Sequence, residues 1–195
     1  MKATLVSGNA HKARELARLL PGWEIEPIGT QLPEETGSTF YENARAKARF
    51  GRRTGDPARS MIGEDSGLEV EGLDGRPGIR SARIAGPGAT DEQNVARLLE
   101  ELDGVAGDGR RARYVCELVC LSPAGEEARG TGTLTGRIAA APRGSGGFGY
   151  DPVFVPDGEE RTVAELGDEW KARRSHRAAA AAALHEAVGS GAQEL

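Results

Sequence analysis

The sequence predicts an α/β fold built on a mixed β-sheet, and three observations carry that expectation. Short apolar runs alternate with helical patterns in the first part of the chain, as they do in βα units. Two strand-like runs, Ala112 to Leu121 and Glu127 to Leu134, are separated only by Ser122-Pro123-Ala124-Gly125, so they read as an antiparallel hairpin. No internal repeat or long linker divides the 195 residues, so one domain over 1–195 is expected.

In chain order, Lys2 to Val6 is predicted as a buried strand that ends at the turn Ser7-Gly8-Asn9. A helix follows with Ala13, Leu16, Ala17, Leu19 and Leu20 on its apolar side, closed by Pro21-Gly22. Trp23 to Ile28 reads as a second strand and Gln31 to Ser38 as a polar loop. Thr39 opens a helix to about Arg53, with Glu42 at capping-box spacing. Ser60 to Gly63 is read as a short strand, Glu64-Asp65-Ser66-Gly67 as a turn, and Leu68 to Val70 as extended. A Gly-, Pro- and Arg-rich loop spans Gly72 to Gly88, and Thr90 with Gln93 forms a second capping box for a helix to about Leu102. Beyond the hairpin, Tyr150 to Val155 is predicted extended, and Ser175 to Val188 is a helix closed by Gly189.

Composition excludes several functions. A net charge of -5 offers no overall field for nucleic acid or an anionic membrane, and 5% aromatics argues against a stacking platform for single strands. No apolar run reaches the ~20 residues of a membrane helix, and the N-terminus does not read as a signal peptide, so a cytoplasmic protein is expected. Cys116 and Cys120 alternate with Leu118 and are predicted as free, buried thiols on one strand face.

Five segments carry residue types that suit chemistry. Ser7-Gly8-Asn9-Ala10-His11-Lys12 joins a strand to a helix, where unpaired amides and the dipole favour an anion and Lys12 adds a point charge; an ordinary N-cap at Asn9 is the competing reading. Asn43 and Lys47 stand four apart on one helix face beside Glu42. Glu64 and Asp65 can present a carboxylate to a hard cation or a water, although strand alternation sends them opposite ways. Gly144 to Pro152 holds a formal G-x-G-x-x-G, but no helix is predicted to open after it, so Phe148 and Tyr150 are read as lining a flat base rather than a dinucleotide site. Finally, Lys171 precedes Ser175-His176-Arg177, whose cations sit in the first turn of a helix against its dipole, which suggests an anionic or carbonyl-bearing ligand. The three histidines lack zinc-ligand spacing, and no P-loop motif occurs.

Taken in this order, the segments resemble the inosine triphosphate pyrophosphatase (Ham1-like) family from Leu5 to about Leu184. The matching motifs are Ser7 to Lys12, Thr39 to Ala48, Asp65 to Leu68, Pro77 to Arg83, Gly147 to Pro152 and Ser175 to Arg177. The resemblance implies an elongated α/β fold with a central cleft and assembly as a homodimer. It also implies Mg2+-dependent hydrolysis of ITP, dITP and XTP to the monophosphate and pyrophosphate. It would give Asp65 the role of proton acceptor, with Asp65 and Glu42 as metal ligands and Glu64 as a third candidate. Glu64 stands where many relatives have Asp. Ser7, Asn9, Lys12 and Lys47 would hold the triphosphate, with Gly8, Ala10 and His11 also among the substrate-binding residues. Ser66, Phe148, Gly149, Tyr150, Asp151, Lys171, His176 and Arg177 would bind the rest of the nucleotide. A pyrophosphatase for other modified nucleotides and a non-catalytic nucleotide-binding protein are the alternatives.

Overall fold

The computed structural model describes residues 1–29 and 32–191. The chain forms β1 (Lys2–Val6), α1 (Ala10–Leu19), β2 (Glu24–Pro27), α2 (Phe40–Thr54), β3 (Ser60–Val70), α3 (Asp91–Glu101), β4 (Arg111–Leu121), β5 (Glu127–Ile138), β6 (Phe154–Pro156), α4 (Val163–Leu166), α5 (Asp168–Arg174) and α6 (His176–Gly191). Short 3-10 helices lie at Glu71–Leu73, Gly78–Arg83 and Gly107–Arg110.

The strands make a six-stranded sheet in the order β2-β1-β3-β4-β5-β6. It is mixed, as the sequence predicts. β1 pairs in parallel with β2 and β3, while β5 and β6 are antiparallel. By contact the chain divides into two compact units. The first comprises Met1–Asp65, Cys116–Gly132 and the stretch from His176 onward; the second comprises Ser66–Val115 and Thr133–Ser175. Each has its own apolar core.

In the first unit, Leu5, Leu16, Ile62, Cys116, Leu118 and Leu184 pack together, whereas Val119 and Leu121 pack on Ala44 and Ala48 of α2. β4 is therefore buried on both faces, which is why from Tyr114 onward it reads as an apolar run interrupted only by Glu117. Cys116 and Cys120 are free and buried in the same cluster, as expected of alternate positions. Two glycines allow the helices to approach the sheet. A Cβ on Gly63 would lie 1.8 Å from the Ala44 carbonyl oxygen, and one on Gly132 would lie 2.1 Å from that of His176. Both positions accept nothing larger than hydrogen.

The core of the second unit gathers Leu68, Val70, Leu98, Tyr114, Tyr150 and Phe154. Thr90 and Gln93 form the expected capping box of α3, and Thr162 with Glu165 forms another on α4.

Three expectations need correction. β3 is one continuous strand, with Glu64-Asp65-Ser66-Gly67 inside it rather than a turn. Its backbone is held in the middle of the sheet, and that pairing outweighs the turn preference of Ser-Gly. Tyr150 to Val153 is a turn, closed by Val153 N and Phe154 N donating to Tyr150 O, so β6 is only Phe154–Pro156. α6 runs through Gly189 to Gly191. The short helices α4 and α5 carry too few turns to show a periodicity in sequence. Of the predicted loop from Gln31 to Ser38, Gln31 lies outside the described residues.

Candidate active site

In the first unit β3 presents two adjacent carboxylates to opposite faces. Glu64 is fully buried and faces α1 and α6. Its Oε2 lies 2.6 Å from Lys12 Nζ, and its Oε1 accepts from Arg177 Nη2 at 3.1 Å. Arg177, also fully buried, makes a second ion pair with Glu15. Burial disfavours the charged Glu64, but Lys12, Arg177 and Lys47 together hold its carboxyl well below the usual carboxylate range. Arg177 is likewise raised against its burial, first by Glu64.

Asp65 faces α2. Its Oδ2 accepts from Asn43 Nδ2 at 3.0 Å, and its Oδ1 lies 3.4 Å from Lys47 Nζ. Lys47 also donates to the Glu64 carbonyl at 3.0 Å and pairs with Glu35 Oε1 at 2.6 Å. Asn43 and Lys47 reach the same carboxylate because they are one helical turn apart on α2. Burial pushes the Asp65 carboxyl above its usual value; Lys47 pulls it back and Glu35 pushes it up again. The same carboxylates raise Lys47 despite its burial. A buried carboxylate with raised proton affinity, beside a fixed ammonium, suits a general base acting at an anionic centre.

The segment from Ser7 to Lys12 surrounds the start of α1. Asn9 is its N-cap, accepting from His11 N at 2.9 Å and Lys12 N at 3.3 Å, while Ser7 Oγ accepts from Asn9 N. Asn9 thus caps the helix, as the competing reading has it, while Lys12 pairs with Glu64 rather than standing in solvent. Gly8 and Ala10 are exposed. His11 is exposed too, with its ring Nδ1 3.0 Å from Arg14.

The other two metal candidates have protein partners of their own. Glu42 is exposed, and its Oε2 accepts from Ser38 N at 2.7 Å and Ser38 Oγ at 2.6 Å. Both oxygens of Glu64 are engaged by cations. Glu35, which sequence reasoning missed, is the carboxylate that shares Lys47 with Asp65. It lies in a polar loop with no periodicity to mark it.

In the second unit Asp151 and Lys171 form a buried pair at 2.7 Å. Lys171 Nζ sits 4.0 Å from the centre of the Phe148 ring, a cation–π contact. Asp151 Oδ2 also accepts from Phe148 N at 2.9 Å. The Tyr150 hydroxyl donates to Ser81 O at 2.6 Å, and Ser81 Oγ accepts from Leu68 N. Burial raises the Tyr150 hydroxyl pKa, with Asp91 adding to the shift. Ser66, next to Asp65 on β3, is half-buried. His176 opens α6 in the first unit and is buried with Arg177. Arg177, in the first turn of α6, is therefore met by protein carboxylates and does not by itself require an anionic ligand.

Residues 3–187 match the model of the Ham1 family. The dITP/XTP pyrophosphatase of Methylococcus capsulatus is 48% identical, with 94% of each chain covered. That of Shigella flexneri is 45% identical, covering 97% of this chain and 99% of the other. Among solved structures, the Staphylococcus aureus Ham1 protein is similar with a TM-score of 0.85 at 35% identity, covering 98% of this chain and 100% of that one. A likeness that spans almost the whole sequence and the whole fold shows that this chain belongs to the Ham1 family.

Proposed function

We propose that this chain hydrolyses dITP, ITP and XTP to the nucleoside monophosphate and pyrophosphate, with magnesium, and so removes them from the nucleotide pool. The observation that carries the reading is Asp65: a buried carboxylate of raised proton affinity, set against Lys47 and Asn43 and joined through Lys47 to Glu35. The dITP/XTP pyrophosphatases similar to this chain support the substrate class.

Water attacks the α-phosphorus. The new bond joins the water oxygen to Pα, the bond from Pα to the bridging oxygen breaks, and its electron pair leaves with pyrophosphate. Asp65 takes the proton of the attacking water. Lys47 offsets charge on the phosphates, and the segment from Ser7 to Lys12 at the start of α1 receives the triphosphate, as helix N-termini do. In the second unit, Phe148 to Asp151, Lys171 and Ser66 bind the base and sugar, with Phe148 against the ring. His176 and Arg177 complete the binding set, Arg177 by fixing Glu64. Selection against adenine comes from the 6-oxo group and N1–H: a 6-amino group brings a donor where an acceptor is expected and leaves buried partners unpaired.

The donor set fits a small hard cation. Magnesium takes oxygen ligands, usually one or two carboxylates with water and substrate phosphates completing the shell. Asp65, raised first by burial and further by Glu35, and Glu35 itself are two such carboxylates, and they would hold the cation. Among the described residues no group of three or more His, Cys, Asp or Glu is arranged to hold a metal. Glu35, which shares Lys47 with Asp65, joins it in the proposed ligand set, with Glu42 and Glu64 as the further candidates. Bound there, magnesium supplies charge neutralisation on the phosphates. Following the family resemblance, the chain works in the cytoplasm as a homodimer. Among the described residues no helix is long and apolar enough to cross a membrane.

Pyrophosphate release from XTP, ITP, dUTP and ATP at equal concentration, with and without magnesium, tests this reading. Turnover of XTP and ITP well above the other two, lost on chelation, is expected. Preference for dUTP moves the assignment to a pyrimidine enzyme, and binding without release leaves a nucleotide-binding protein.

A further inference from the structure

The amides of Phe148 and Gly149 are consecutive, and a different carboxylate holds each. Phe148 N donates to Asp151 Oδ2 at 2.9 Å; Gly149 N donates to Asp91 Oδ2 at 2.7 Å. Asp151 belongs to the loop itself and is fixed by Lys171. Asp91 belongs to the first turn of α3 and reaches the loop from 58 residues away in sequence.

The loop needs such support. Gly147 and Gly149 adopt φ of +76° and +63°, and a Cβ on Gly147 would meet Asp151 Oδ2 at 2.2 Å. Glycine permits that path but does not select it, because unsubstituted backbone loses the most freedom when ordered. Hydrogen bonds to the amides supply the selection. α3 does not depend on Asp91 for its own start: Thr90 and Gln93 close the capping box, and Glu92 provides a second first-turn acid for the dipole. The Asp91 carboxylate is thus spent on the loop.

We infer that Asp91 is a positioning residue for base recognition, holding Gly149 so that the Phe148 ring stays fixed over Lys171 where the purine is bound. The inference rests on the proposed function and extends it to a residue outside the binding motifs. The base contact is made by Phe148 and its neighbours; Asp91 acts through them.

The test compares wild type with Asp91→Ala and Asp91→Asn by pyrophosphate release from XTP and ATP, with thermal melts alongside. In Asp91→Ala the KM for XTP rises about tenfold, the loss of one charge-assisted hydrogen bond, while kcat falls by less. The preference for XTP over ATP shrinks with it. Asp91→Asn keeps an acceptor for Gly149 N and restores most of both. Three results overturn the inference in the presence of active wild type: Asp91→Ala matching wild type in KM and selectivity, an equal loss on both nucleotides, or no rescue by asparagine. Wild type inert towards XTP overturns the proposed function and this inference with it, so the two failures are distinguishable.

Discussion

Glu64 and Asp65 are neighbours on β3 with opposite electrostatic fates. The carboxyl of Glu64 is driven down by Lys12 and Arg177, and that of Asp65 is driven up by burial. One stays an anion that organises cations; the other has the proton affinity of a base. The division follows from strand alternation, which turns one side chain to α1 and α6 and the other to α2.

Replacing Asp65 by Asn should keep the fold and lower kcat about 10²- to 10⁴-fold, since the amide cannot take the proton. Pyrophosphate release and a thermal melt together check this. Activity within a few-fold of wild type removes Asp65 from the proposed role.

In the metal-free protein the Asp65 carboxyl should titrate above the usual 3.8 of aspartate, because burial disfavours its charge. Carboxyl chemical shifts followed by NMR across acidic pH in the presence of a chelator check it, with a value at or below the usual one counting against burial as the dominant cause.

Glu64 gives a stability prediction of the opposite sign. Its folded pKa is depressed, so the stability it contributes is present above the usual 4.5 of glutamate and is lost as pH falls below that value towards the folded pKa. Glu64→Gln should cost about 3 kcal/mol at neutral pH, because it leaves Lys12 and Arg177 buried without their shared partner. It should also flatten the acid loss. Urea melts of both proteins at pH 7 and pH 3 measure the difference.

Glu35→Gln and Glu42→Gln separate the two candidate metal ligands. Glu35→Gln should raise the magnesium concentration for half-maximal rate about tenfold or more. Glu42→Gln should leave that concentration unchanged and lower the melting temperature slightly through the Ser38 contacts. The reverse pattern restores Glu42 to the site.

Gly63→Ala should destabilise the fold by about 3 kcal/mol, since the new methyl meets the Ala44 carbonyl at 1.8 Å and α2 must move. Because α2 carries Asn43 and Lys47, kcat should fall even at temperatures where the variant stays folded. Circular dichroism melts and steady-state rates check both parts.

What the sequence made legible was local. The N-cap at Asn9, the capping box at Thr90, the shared helix face of Asn43 and Lys47, and the alternation of Cys116 with Leu118 each rest on spacing of a few residues. What it hid was set by tertiary pairing. Ser66-Gly67 reads as a turn until β3 is held between neighbouring strands. The ion pair of Arg177 with Glu15 joins residues 162 positions apart, and Glu35 reaches Lys47 from a loop without pattern. No periodicity encodes such encounters.

Hydrolysis of XTP in water enriched in oxygen-18, followed by mass spectrometry of both products, tests the central claim most directly. Attack at the α-phosphorus with Asp65 accepting the proton places the label in the monophosphate alone, and the Asp65→Asn variant forms that product far more slowly. Label in the pyrophosphate, or release of orthophosphate instead, contradicts the account.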